Sequence, residues 1–228
     1  MPFNIGPKIH NVIPAPLRSL VDTFFSLVDW KGALYLTGGT CLAEYYFGHR
    51  LSKDMDLFTA DKAIFADARK FMVDKASFRQ GSIEEIRVTP YIAQFNYFHQ
   101  GSKEPIKIDL VLDIAVHLAS PLAVGPVWID SLEDMLSNKM GCMVSRNEVK
   151  DYLDLFYLLP SSHLTAREAI ELGRQKEGGI DPLILANQME FIFHREPPDR
   201  ALLGKTDWNE FQLFFQKFRK ECLELIRP

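Results

Sequence analysis

Three aspartates and a pair of glycines are the residues of this sequence best suited to chemistry. Asp54 and Asp56 stand two apart within His49-Arg-Leu-Ser-Lys-Asp-Met-Asp-Leu-Phe58. On an extended strand, residues i and i+2 project from one face, so both carboxylates can ligate one divalent cation or bridge two. Asp109 is a third acid, on the polar side of a strongly alternating segment. Like charges about 4 Å apart repel by roughly 4 kcal/mol at an effective dielectric near 20, so three converging carboxylates call for a cation between them. Oxygen-only ligands and a phosphate-bearing substrate select Mg²⁺ or Mn²⁺ over zinc. Gly38 and Gly39 lack a Cβ and let the backbone approach a polyphosphate at the start of the next helix, and Ser52 adds a hydroxyl donor. The set fits an in-line displacement at phosphorus, in which a metal activates an attacking hydroxyl and neutralises a leaving pyrophosphate. Asp109 would lie near the attacking group and take its proton. Asp113 shares the strand face of Asp109, and periodicity leaves both open.

The elements that must position these residues are readable from the hydrophobic pattern. Residues 16–30 carry Leu17, Leu20, Val21, Phe24, Phe25, Leu27 and Val28 at helical spacing behind a proline-rich lead. Residues 33–37 predict a short strand, Gly38-Gly39 a turn, and Thr40 the cap of a helix over 41–48. A strand is expected over 54–59, with Met55 on its buried side, and a helix over 61–75 with Ile64, Phe65, Ala68, Phe71 and Met72 inward. Residues 83–99 read as one or two strands with Pro90 at an edge, bulge or turn. Residues 106–114 alternate most regularly, with Ile106, Ile108, Leu110 and Leu112 on one face. After Pro126 the pattern becomes helical, opening on Ser131-Leu-Glu-Asp134, a capping box with Asp in the usual Glu place. Helices are expected over 131–145, 148–159, 165–176, 181–194 and 207–226, separated by Pro160, Gly178, Gly179, Pro197 and Pro198. The fold class is α+β: a lobe with a small mixed sheet over 1–129, then a helical lobe over 130–228.

Composition narrows the function classes. The balance of 26 basic and 30 acidic residues, a net charge of −4, argues against a protein that coats nucleic acid by bulk charge. Cys41, Cys142 and Cys222 are far apart and suggest neither a disulfide framework nor a zinc site. No signal-like segment or apolar run of membrane-spanning length is present, so a cytoplasmic protein without membrane contact is expected. The six histidines show no ligand spacing. Phe211, Phe214, Phe215 and Phe218 read as a core stripe rather than a base-stacking platform, and Lys217, Arg219 and Lys220 as a solvated face.

The motifs Gly38-Gly-Thr-Cys-Leu-Ala, Arg50-Leu-Ser-Lys-Asp-Met-Asp-Leu-Phe58 and Lys107-Ile-Asp-Leu-Val111 resemble the nucleotidyltransferases of the AbiEii/AbiGii toxin type, in the polymerase-beta-like nucleotidyltransferase superfamily. Asn138-Lys-Met140 and the segment from Arg146 through Lys150-Asp-Tyr-Leu-Asp-Leu-Phe extend the likeness over most of the chain. The resemblance chooses Asp109 over Asp113 and implies that Lys139 and Asp151 face the nucleotide site, with Asp154 a rival acid. The expected site is thus Asp54, Asp56, Asp109, Lys139 and Asp151 for catalysis, the three aspartates for metal, and Gly38, Gly39, Thr40, Ser52 and Lys139 for nucleotide. It further implies an NTP substrate with Mg²⁺ or Mn²⁺, an RNA acceptor such as tRNA, and a cognate antitoxin protein. Arg146 and Lys150 lie where an RNA phosphate could arrive. Transfer to a small molecule or a protein hydroxyl, and nucleotide binding without catalysis, are the alternative readings.

Overall fold

The structure, a computed structural model, describes residues 3–74, 81–113 and 116–226. A seven-stranded mixed sheet in the order β3-β4-β5-β2-β1-β7-β6 organises the first half of the chain. Its central strands are β1 (Tyr35–Thr37), β2 (Met55–Thr59) and β5 (Ile106–Leu112), with β3 (Gly81–Val88) and β4 (Ile92–His99) forming the outer wing. β2 runs parallel to β5 and antiparallel to β1. The expected ends of the third helix at Lys75 and of β5 at Ile114 fall outside the described residues.

Alternation decides what each sheet face does. Met55, Leu57, Ile108, Leu110, Ala93 and Phe95 are buried together. α1 (Ala15–Leu27) and α3 (Lys62–Val73) contribute Leu17, Phe24, Phe65, Ala68 and Met72 to the same core. Asp61 caps α3 by accepting from Ala63 N and Ile64 N. The opposite face is left to Asp56, Asp109 and their neighbours.

Two three-residue strands, β6 (Leu122–Val124) and β7 (Val127–Ile129), were not expected. They flank a turn at Gly125-Pro126, and β7 joins the sheet through a parallel Leu36↔Ile129 pair. Strands this short show no readable alternation.

The helical half begins with α4 (Leu132–Ser145) and α5 (Val149–Ser162). Ser131 accepts from Asp134 N, but the reciprocal half of the expected capping box is missing, because Ser131 N donates to Asp130. The Asp134 carboxylate instead takes the Ser131 hydroxyl, Leu118 N, Ala119 N and Lys176. α5 runs through Pro160 to Ser162 rather than stopping at the proline. The one backbone bond forfeited lies in its last turn, which buried Leu158 and Leu159 hold in place. α6 (Ala166–Arg174) is opened by a complete Thr165/Glu168 capping box. The single helix expected over 181–194 is two pieces, α7 (Pro182–Gln188) and α8 (Glu190–Phe193). α9 (Arg200–Leu203) is a further turn, and α10 (Trp208–Glu224) buries Phe211, Phe215 and Phe218 as a core stripe. One apolar cluster runs continuously through the sheet and the helices. No helix among the described residues is long and apolar enough to cross a membrane.

Candidate active site

The site is assembled where β1 ends. Gly38 opens a helical turn, α2 (Gly38–Cys41), that passes into a π-helical segment, Leu42–Phe47, and closes at left-handed Gly48. Single π-helical turns are uncommon and cluster at functional sites. Thr37, the residue before the helix, gives its hydroxyl to buried Asp130 at 2.5 Å and leaves the first helical N–H groups without a side-chain cap. Thr40 does not cap the helix as expected, nor does it face the cleft. It is buried inside the helix, donates to the Asp54 carbonyl at 2.5 Å and lies 2.9 Å from the Ser52 hydroxyl, bracing the loop that carries both.

The two glycines are required by their neighbours as well as by any ligand. Gly38 has φ +71°, and a Cβ there would sit 2.1 Å from Asp56 Oδ2. A Cβ on Gly39 would lie 2.2 Å from an Arg50 guanidinium nitrogen. A methyl at either position would have to displace the Asp56 carboxylate or the Arg50 guanidinium.

Strand register then sets the acids. Asp56 pairs with Thr37 on one side and with Asp109 on the other, so the two carboxylates stand side by side on adjacent parallel strands. Asp54 precedes β2 and lines the same open cleft of about 510 Å³, together with Gly38, Gly39 and Ser52. Gln94 on β4 donates to Asp109 Oδ1 at 3.0 Å. Burial first, then the charges of Asp109 and Asp54, push Asp56 up to about 6, against the pull of Lys139 and Arg146. Asp113 is separated from this group: it lies beyond the end of β5 with Lys176 3.3 Å away.

A cationic wall faces the acids. Buried Arg50 forks onto Asp154 through Nε and Nη2 at 2.8 and 2.9 Å. Lys139 reaches Asp151 at 2.9 Å and Asp154 at 2.6 Å, while Arg146 forks onto Asp151 at 2.8 and 2.6 Å. Arg50, Lys139, Arg146 and Lys150 line the cleft, whereas Asp151 and Asp154 stand behind them, fully buried. Asp151, expected to face the nucleotide, therefore orients Lys139 and Arg146 instead. Burial alone would lower the Lys139 pKa, but Asp154 and Asp151 outweigh it and hold the ammonium charged. Burial would raise Asp154, yet Arg50, Lys139 and His49 keep it well below the ordinary carboxylate range. Burial also keeps His49 neutral, and ionised Asp154 can only accept, so His49 donates through Nε2 at 2.8 Å. His49 and Arg50 carried no assignment from sequence, although both sit in the motif; Gln94 left no signal there at all.

The acids suit a hard divalent cation in part. Among the described residues neither the Asp54 nor the Asp56 side chain accepts a hydrogen bond, and both line the cleft, Asp54 exposed and Asp56 half-buried. However, no three His, Cys, Asp or Glu side chains among the described residues form a group able to hold a metal ion by themselves. Asp54, Asp56 and Asp109, the acids expected to ligate one cation or bridge two, do not form such a group here. They line one cleft openly, an arrangement suited to Mg²⁺-type ions that take one or two carboxylates and complete their shell from substrate phosphates and water.

Known proteins resemble this chain in sequence and in fold. A protein from Aquifex aeolicus (strain VF5), described as uncharacterized protein aq_aa25, is 25% identical over 198 residues, covering 83% of this chain and 88% of that protein. The crystal structure of JHP933 from Helicobacter pylori shares the fold with a TM-score of 0.57 at 18% identity, covering 92% of this chain and 91% of that one. MenT4, a nucleotidyltransferase toxin from Mycobacterium tuberculosis, does so with a TM-score of 0.58 at 12% identity, covering 91% of this chain and 83% of that one. The model of the nucleotidyl transferase AbiEii toxin family, type IV toxin–antitoxin system, matches residues 18–222, and the chain belongs to that family.

Proposed function

We propose that this chain uses an NTP and Mg²⁺, or Mn²⁺, to transfer a nucleotidyl group to an RNA acceptor such as tRNA, held in check by a cognate antitoxin. The observation that carries the reading is the pairing of Asp56 with Asp109 on one wall of a cleft whose other wall is Arg50, Lys139 and Arg146. A triphosphate needs both walls: carboxylates for its metal and cations for the charge that leaves.

When bound, the divalent cation neutralises triphosphate charge and acidifies the attacking hydroxyl. Asp54 and Asp56 would hold it, and the backbone at Gly38-Gly39 with Ser52 would cradle the phosphates. The acceptor oxygen bonds to the α-phosphorus as the bond from that phosphorus to the β-phosphate bridging oxygen breaks. Asp109 takes the hydroxyl proton, and pyrophosphate departs toward Lys139, Arg50 and Arg146.

The test is transfer of label from each of four α-labelled NTPs, with Mg²⁺, to total cellular RNA, with Asp56→Ala as control. A discrete labelled RNA band, absent with the variant, is the expected result. Label on protein or on a small molecule would keep the chemistry and replace the acceptor. NTP binding without any transfer would overturn the enzymatic reading.

A further inference from the structure

The outer wing of the sheet carries an arrangement that nucleotide binding does not use. β3, β4 and β5 bury one face with Ile83, Ala93, Phe95, Tyr97, Ile108 and Leu110, and the helix packing of β3 and β5 comes chiefly from α3 on that side. The other face is open. A bulge at Ile86 shifts the β3–β4 register by one residue, from Glu85↔Phe95 to Arg87↔Gln94. Without that extra residue Arg87 would point to the opposite face. With it, Arg87, Gln94, Asp109 and Asp56 form one row across four strands, ending at the catalytic acids. Asn96 and Lys107 form the adjacent row, with Glu84 at its far end.

We propose that this open face is the track on which the end of a single-stranded RNA lies, so that its terminal hydroxyl arrives at Asp109; the inference rests on the nucleotidyl-transfer reading of the cleft. Arg87 and Lys107 are exposed and form no ion pair among the described residues, so both charges are available to phosphates. By strand spacing Arg87 stands about 10 Å from Asp109, where it meets the backbone shortly behind the reacting end. Half-buried Gln94 and Asn96 supply amides to base edges or sugar hydroxyls. Two free cations and two amides on an open sheet match a polyanion with polar edges. In a chain of net charge −4, such attraction has to be local. Gln94 also positions Asp109 through its 3.0 Å hydrogen bond, tying the track to the reacting group.

The experiment is steady-state transfer from the preferred NTP to RNA by wild type, Arg87→Glu/Lys107→Glu and Arg87→Gln/Lys107→Gln, at several salt concentrations. The charge-reversed chain should raise the acceptor KM by about tenfold or more, the neutral pair by less, with the NTP KM retained. Loss of two phosphate contacts should also flatten the log–log dependence of acceptor KM on salt by roughly 1.4. If wild type labels RNA and both variants keep its acceptor KM and salt dependence, the track is wrong and the function stands. If wild type labels no RNA, the acceptor reading falls and the track with it. NTP-induced thermal stabilisation of all three chains establishes that the substitutions leave the fold intact.

Discussion

Asp56 is held by what its neighbours lack. Gly38 leaves it room that a methyl group would take, and its φ of +71° is a region L side chains rarely adopt. Gly38→Ala should therefore cost about 1–3 kcal/mol and abolish transfer, as read by urea unfolding and the labelled-NTP assay. Gly101→Ala is the control: φ there is +84°, but nothing lies within 4 Å of the added methyl, so it should pay the backbone cost alone and keep activity. Asp130 offers a separate test. Burial is the main cause that pushes it up to about 7, from an ordinary value of 3.8. Between roughly pH 4 and pH 7 the native state thus retains a proton that the unfolded chain has lost. This group's contribution to stability therefore falls as pH rises through that window, by about 1.4 kcal/mol for each pH unit crossed. Urea unfolding at pH 5 and pH 8 should show wild type losing stability relative to Asp130→Asn at the higher pH. Equal changes in the two chains would contradict the raised value.

Elements differed in how plainly the sequence announced them. The alternation of β5 was legible because one face is buried from Ile108 to Leu112, and the apolar positions of α1 and α10 because each packs a stripe on the core. The choice between Asp109 and Asp113 was not, since both share a face by periodicity, and only the structure shows that β5 ends at Leu112 and that Lys176 reaches Asp113. The break between α7 and α8 at Met189 is hidden by unbroken apolar periodicity, with Leu185, Met189 and Ile192 all buried. The bulge at Ile86 has no glycine to mark it. Least visible was the joint between α9 and the motif loop, where Leu51 N bonds to Ala201 O at 3.0 Å and Lys205 N to His49 O at 3.1 Å. Gly204 permits that approach: its φ is +61°, and a Cβ would lie 1.8 Å from the His49 carbonyl oxygen. Gly204→Ala should separate the two segments, cost about 2 kcal/mol or more and lower transfer through misplaced Arg50, although residue 204 carries no chemistry. Unchanged unfolding midpoint and turnover would show that the joint is dispensable.

At the scale of the whole molecule, the acids belong to the sheet and the groups that orient the cations belong to the helices. Asp54, Asp56 and Asp109 precede residue 113, whereas Lys139 and the acids behind it, Asp151 and Asp154, come from α4 and α5. The two sets meet on one continuous core, and Arg50 crosses between them by forking onto Asp154. The joint at Ala201 and Lys205 has a consequence for synthesis. A ribosome extends the chain from its N-terminus, so the carboxylates emerge early, the counter-charges of the cationic wall later, and the segment that pins the Arg50 loop later still. A partly made chain holds Asp54, Asp56 and Asp109 yet cannot fix the opposite wall of its cleft. The cleft can close only after the segment around Ala201 and Lys205 has been made, well after its acids.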